Sequence, residues 1–371
     1  YLARYTGRLV DEDTARAYDS LASQLQPIGV TPLFRKEKGE QVIFLIPLLA
    51  TPKPSNPMVN LILFVLTIAS VLFTGATYAS SQSLNADPSL TGIMSHLLDG
   101  WPFAVSLLLI LGCHEFGHYL AGRYHHASVS LPYFIPLPIS AFGTMGAFIN
   151  MKAPPKNRRI LMDIGIAGPL AGLLVAIPVL LIGLSLSPLN RLTAPSGAGY
   201  AIQMEGNSIL YLLAKFTVFH RWLPEPASFG NLPPFLYWVR YFFTAQPFPV
   251  GGLDVSLGPV AWAGWAGILV TALNLIPAGQ LDGGHMLYVL LGAKRARRTM
   301  PFILVALILL GFAWNGWWLW AALIFFLVGR SYAEPLDQIT PLNPARKALA
   351  VLALIIFLLV FTPVPLQLIT G

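Results

Sequence analysis

Leu111-Gly-Cys-His-Glu-Phe-Gly-His-Tyr-Leu-Ala-Gly122 decides how the rest of this sequence is read. It sets His114, Glu115 and His118 inside a run otherwise greasy enough to cross a membrane. Ionisable groups are costly in hydrocarbon, so three within five residues need a reason to be there. On a helix His114 and His118 lie one turn apart on one face, and both imidazoles can reach a single ion. Glu115 is then placed to take a proton from a water held at that ion. The pattern predicts a hydrolytic zinc centre set within a bilayer.

Composition supports the bilayer. Of 371 residues, 55% are hydrophobic and 11% charged, whereas soluble domains carry about 25% charged residues. The expected fold is an all-α polytopic membrane protein of about six to eight membrane helices. The formal charge of +7 is read loop by loop and implies no nucleic-acid partner. Cys113 is the single cysteine. An intramolecular disulfide and a Cys-rich zinc cluster are therefore excluded, and Cys113 reads as packing. The opening residues lack the basic-then-apolar pattern of a signal peptide, and none is expected there.

Residues 1–56 read as a small α+β cytosolic region and linker. Asp11–Gln26 predicts a capped amphipathic helix, and Val30–Phe34 and Gln41–Ile46 predict strands around a turn at 35–40. So small a unit needs something to complete its core: a second copy of the chain in a homodimer, another partner, or the membrane surface. Thr51–Pro57 predicts a stiff linker. A core then runs over 57–285, with spans at 58–79, 102–122, 160–187 and 257–276. An outer loop covers 188–256, in which Asn207–Phe219 reads as interfacial or re-entrant and no run of alternating strands suggests an inserted β-rich peptide-binding domain. Residues 286–371 hold further membrane helices, at 300–312, 317–328 and 348–361. With the N-terminal region inside, the basic loops 123–159 and 294–298 also fall inside and the uncharged 80–101 loop outside. The predicted centre then lies near the cytoplasmic end of the second span. A bacterial cell membrane is the default location and a thylakoid-type membrane the alternative.

Two imidazoles do not complete a catalytic zinc site, which commonly takes three protein ligands and leaves a position for water. Within the spans the other carboxylates are Asp163 and Asp282. Asp282 lies in Asn274-Leu-Ile-Pro-Ala-Gly-Gln-Leu-Asp-Gly-Gly284, where proline and glycines bend the helix and can aim a side chain across a cavity. It also falls at the depth of His118, and is assigned as the third ligand. Asp163 either steadies a ligating imidazole or pairs with Arg158 or Arg159, and the ion pair is favoured. His285 reads as interfacial, and His125 and His126 as solvated. His96 and His220 fall too far away in depth to be ligands.

HEFGH followed downstream by NLIPAGQLDGG resembles the site-2 protease family of intramembrane zinc metalloproteases. Gly168-Pro-Leu-Ala-Gly172 is similar to that family's third-helix signature. Gly143-Thr-Met-Gly-Ala-Phe-Ile-Asn150 resembles the plastid and cyanobacterial branch that lacks a PDZ domain. The resemblance implies one catalytic Zn2+ on His114, His118 and Asp282, with Glu115 as general base and acid. It also places Asn274 where the developing oxyanion would be stabilised; the alternative for Asn274 is a helix cap or an interhelical hydrogen bond. Pro132–Asn150 is similar to a membrane-embedded β-hairpin. Gly143, Gly146, Ala147, Phe148, Ile149 and Asn150 are candidate substrate-binding residues there, pairing with an unwound segment as an added strand. The alternative is a re-entrant loop that seals the cavity. Gly168, Ala171 and Gly172 read as close helix packing.

The expected activity is cleavage of transmembrane protein substrates in the lipid bilayer. A metal-ion transporter would show acids or histidines through both halves of the bilayer, and often an internal repeat. A catalytically silent chaperone of the same fold would not need Glu115.

Overall fold

The computed structural model describes residues 1–370 except 12, 51–53, 82–88, 194–200 and 329–331. Parts of the expected linker and of the 80–101 and 188–256 loops therefore lie outside the described residues.

The first helix begins where Asp13 caps it. Its carboxylate accepts from the backbone N–H groups of Ala15 and Arg16. Helix α1 then runs Thr14–Leu25 and presses Tyr18 into the ring edge of Phe34, centroid to centroid 5.1 Å. Beneath it lies an antiparallel sheet of β1 (Ala3–Gly7), β2 (Val30–Glu37) and β3 (Glu40–Pro47), in the order β1-β3-β2. Lys38 and Gly39 both take positive φ, the backbone a tight two-residue hairpin turn demands. The unit is thus βαββ, not αββ. Strand β1 is mostly exposed and carries no alternation that would reveal it. The free edge of β2 is covered from within the chain. Phe34 N–H donates to Leu336 and Gln338 N–H to Phe34, so the segment at 336–338 lies parallel along the free edge of β2.

Among the described residues, three helices are long and apolar enough to cross a membrane: Pro57–Ala79, Leu97–Tyr124 and Arg158–Ser185. They correspond to α2 (Pro57–Ser81), to α4 (Trp101–Tyr124) with the 3-10 turn before it, and to α5 (Arg158–Ser185). The short α3 (Leu90–Ser95) lies between the first two. Strands β4 (Tyr133–Pro136) and β5 (Thr144–Phe148) pair antiparallel between α4 and α5. Beyond α5, the described residues of 188–256 are more regular than their sequence suggests. Strands β6 (Leu189–Arg191) and β7 (Ala201–Glu205) precede α6 (Ile209–Phe219) and α7 (Pro234–Thr244), and β8 (Leu253–Val255) returns to pair with β6. At three to five residues each, these strands are too short to stand out in a region rich in apolar residues.

Helix α8 (Pro259–Asn274) has 16 residues, about 24 Å at 1.5 Å per residue, and is buried along most of its length. Small residues let it close on its neighbours. A Cβ on Gly264 would meet the Leu180 backbone at 2.6 Å, and one on Gly183 the Ala261 backbone at 2.2 Å. Gly117 packs against Ala167 in the same manner, so α4, α5 and α8 form the tight centre of the bundle. After Asn274 the helix breaks, Gly279 takes a φ of +51°, and α9 (Asp282–Leu291) resumes. Helices α10 (Ala293–Leu310), α11 (Gly316–Leu323) with a π-helical turn after it, and α12 (Pro344–Val360) follow. Strand β9 (Leu366–Thr370) then pairs with β7.

The ion pair expected for Asp163 is different. Arg346, at the start of α12, grips Asp163 in a two-pronged contact of 2.8 and 2.6 Å, and His125 Nε2 lies 3.0 Å from the same carboxylate. Arg158 instead donates to the Val289 carbonyl and Arg159 to that of Pro341. His125 is accordingly not a solvated residue.

Candidate active site

Helix α4 carries His114, Glu115 and His118 in its C-terminal half, and all three are buried. His114 Nε2 and His118 Nε2 stand 3.3 Å apart, and each lies 3.3 Å from Asp282 Oδ2. The helix break explains how Asp282 arrives there. Gly283 and Gly284 let the start of α9 fold back onto the end of α8, since a Cβ on Gly283 would stand 1.9 Å from the Leu275 carbonyl oxygen. Asp282 sits in the first turn of the resumed helix.

The tautomer of His118 follows from its neighbour. His118 Nδ1 lies 2.7 Å from the Ile164 carbonyl, which can only accept, so Nδ1 carries the proton and Nε2 turns a lone pair toward Asp282 and His114. Nothing in the sequence marks Ile164, because a backbone carbonyl has no residue-type signature. The donor set suits zinc. Zn–N and Zn–O distances of about 2.0–2.1 Å in a tetrahedral site put neighbouring donors about 3.3–3.4 Å apart, and the three donor atoms form a triangle with 3.3 Å sides.

Two glycines of α5 make room for the imidazoles. A Cβ on Gly168 would stand 2.0 Å from His118 Nε2, and one on Gly172 3.1 Å from His114 Nδ1. The motif read as helix packing therefore also shapes the site. Asn274, at the end of α8, brings its amide nitrogen to 3.3 Å from His114 Nε2. Asn274 is thus no helix cap; it faces the same centre, and its contact with His114 is the interhelical hydrogen bond that the sequence also allows.

His114, Glu115, His118, Asn274 and Asp282, with Leu161, Ile164 and Gly165 of α5, line a cavity of about 640 Å³. Its other walls are Ala147–Pro155, Gln280, Leu281, His285 and, from the segment before α12, Tyr332–Glu334. Of the candidate substrate-binding residues, Ala147, Phe148, Ile149 and Asn150 face this space, whereas Gly143 and Gly146 do not. Gly143 is a turn residue at φ +73° pressed against the α2 backbone, and Gly146 takes φ +102° within β5. His285 is buried in the cavity wall and not interfacial. His96 pairs with Asp99, and His220 ends α6 in a left-handed conformation. Tyr332 and Glu334 went unnoticed in the sequence because they lie far from every motif.

Residues 102–313 match Peptidase family M50. The chain is 31% identical over 270 residues to "Probable zinc metalloprotease EGY2, chloroplastic" of Arabidopsis thaliana, covering 72% of this chain and 43% of the relative. It is 28% identical over 328 residues to "Probable zinc metalloprotease EGY1, chloroplastic" of the same plant, covering 83% and 53%. With "Probable zinc metalloprotease EGY1, chloroplastic" of Oryza sativa subsp. japonica it shares 27% over 331 residues, covering 83% and 50%. The chain thus spans about half the length of the curated relatives it matches. No solved structure matches it. The family match takes in both imidazoles, the carboxylate that meets them and the helices that carry all three: the chain belongs to Peptidase family M50, the site-2 protease family its motifs resemble.

Proposed function

We propose that this chain is an intramembrane zinc endopeptidase that hydrolyses peptide bonds within or near the transmembrane segments of single-span proteins. The observation that carries the reading is the 3.3 Å triangle of His114, His118 and Asp282 donors, with Glu115 on the helix between the two histidines. His114, His118 and Asp282 would hold one zinc ion, which supplies Lewis acidity and lowers the pKa of water toward about 7. Glu115 takes the proton of the attacking water and returns it to the leaving amine. Asn274, aimed at the same space, donates to the oxyanion as the carbonyl carbon becomes tetrahedral. Ile164 keeps His118 in the tautomer the site needs.

A peptide bond inside a helix is shielded, so a transmembrane substrate must unwind before it can be cut. Ala147–Asn150 supply an edge against which the unwound segment pairs as an added strand, stretched along the cavity. The site lies near the cytoplasmic end of the second span, and the membrane is of bacterial or thylakoid type. The word "chloroplastic" in the relatives' names favours the latter.

The test is a reconstituted assay. Purified chain in liposomes, with a panel of tagged single-span proteins, is compared as zinc-loaded, chelator-stripped and zinc-restored samples. Cleavage lost on stripping and regained with zinc is expected. Zinc flux across the liposome without cleavage of any substrate would overturn the reading in favour of transport.

A further inference from the structure

The mouth of the active-site cavity has two walls from distant parts of the chain. One is 147–155, which continues from β5, and the other is Tyr332–Glu334. Directly beyond the cavity the two walls are stitched together. Leu336 N–H donates to the Pro155 carbonyl at 3.0 Å and Asp337 N–H to that of Lys156 at 2.8 Å. The same three residues of strap, 336–338, also lie along β2 of the N-terminal sheet. One layer therefore runs β1, β3, β2, strap and 155–157, and it ends on the cavity wall.

The layer is pinned at several points. The Arg35 guanidinium donates to the carbonyls of Pro335 and Leu336 at 3.1 and 2.7 Å. Asp337 is fully buried, and its carboxylate accepts from the Ile339 and Thr340 amides at 2.8 and 3.1 Å, which fixes the strap's turn. From α1, Asp19 pairs with Lys156, and Thr14 Oγ1 lies 3.0 Å from Thr340 Oγ1. Glu334, in the far wall, pairs with Arg297 at 2.7 Å.

A chain laid along Ala147–Asn150 advances about 3.3 Å per residue. The same wall continues from Asn150 to Pro155, whose carbonyl the strap holds. Resting on the protease reading above, we propose that the N-terminal sheet and residues 335–340 form a clasp across the mouth of the active-site cavity, and that the clasp opens to let an extended substrate pass. The N-terminal βαββ unit then serves as the handle of the gate. Whatever pulls or binds that unit changes substrate entry without touching His114, His118, Asp282 or Glu115.

The Asp19–Lys156 pair, which joins α1 to the cavity wall, allows the clasp to be locked reversibly. In a Cys113→Ser background, Asp19→Cys with Lys156→Cys places one thiol on the clasp and one on the wall, and a short bis-methanethiosulfonate bridges them through two disulfides. The full chain is reconstituted with zinc, bridged (oxidised) or reduced, and the bridge is checked by mass. Two readouts are taken on the same samples. Cleavage of a tagged single-span substrate should slow by about tenfold when oxidised and recover on reduction. Hydrogen exchange at the amides of 147–155, which does not depend on catalysis, should slow by about tenfold in the locked form. Oxidised chain that cleaves and exchanges as fast as reduced chain overturns the clasp. If neither form cleaves, the protease reading fails on its own, and exchange still decides the clasp: slower in the locked form it stands, equal in both it falls.

Discussion

Gly168 and His118 are so close that a methyl group on Gly168 would stand 2.0 Å from the imidazole Nε2. The backbone of α5 is the floor on which the His118 ring lies. Gly168→Ala should therefore displace His118 from Asp282. Zinc affinity is expected to fall by about 10–100-fold, measured by competition with a chromophoric chelator. Gly172→Ala meets His114 at 3.1 Å, which a small shift of the ring relieves. It should cost much less. Equal losses in the two variants would mean that helix packing, not room for the ligand, is what these glycines provide.

Asn274 approaches the centre without belonging to the triangle. Asn274→Ala should lower kcat by about 100–1000-fold, as loss of an oxyanion donor does, while KM and zinc content hold. A parallel fall in zinc content would instead make Asn274 a support for His114.

Arg346 joins α12 to α5 through both oxygens of Asp163. The pair is partly exposed, which weakens it, so Arg346→Ala is expected to cost ~1 kcal/mol. Arg346→Lys should recover little of this, because an ammonium cannot make the two-pronged contact. Thermal unfolding in detergent, followed by tryptophan fluorescence, reads the difference. Tm of Arg346→Lys equal to the native value would show that the fork geometry is irrelevant.

The region between α5 and α8 carries a pH-dependent cluster. Lys215 Nζ lies 3.4 Å from Asp254 Oδ1 in a fully buried pair, and Tyr211 donates to Glu205 at 2.8 Å. Burial and the charge of Asp254 push the Glu205 carboxyl from 4.5 up to about 7, against the pull of Lys215 and Tyr211. The folded chain thus holds a proton that the unfolded chain has released between those values. The contribution of Glu205 to stability should be fully present below pH 4.5 and be lost as pH rises through about 7. Glu205→Gln should flatten that part of the Tm-against-pH curve. An unchanged slope in the variant would remove Glu205 as its cause.

What could be read from the sequence was what sits in dense local patterns. His114 and His118 are four residues apart, and Asp282 stands out because so few carboxylates lie among the apolar runs. The break at Pro277–Gly279 is written in residue types that cannot continue a helix. What could not be read depends on contacts between distant residues. Strand β1 is exposed and patternless, and pairs with β3 almost forty residues later. Arg346 reaches Asp163 across 183 positions. Nearer candidates, Arg158 and Arg159, looked just as plausible because sequence distance says nothing about which side of α5 each faces. The strap at 336–338 has no signal of its own. Its backbone groups, not its side chains, join the N-terminal sheet to the cavity wall.

The central claim is that Glu115 moves the proton in a zinc-dependent cleavage while His114, His118 and Asp282 hold the metal. Glu115→Gln keeps the size of the side chain and removes its basicity. The direct measurement is zinc per chain and the initial rate of cleavage of a tagged single-span substrate, on the same preparation of the variant. The account predicts zinc content equal to the native chain and a rate reduced by about 100–10,000-fold. Cleavage at the native rate by zinc-loaded Glu115→Gln would contradict it.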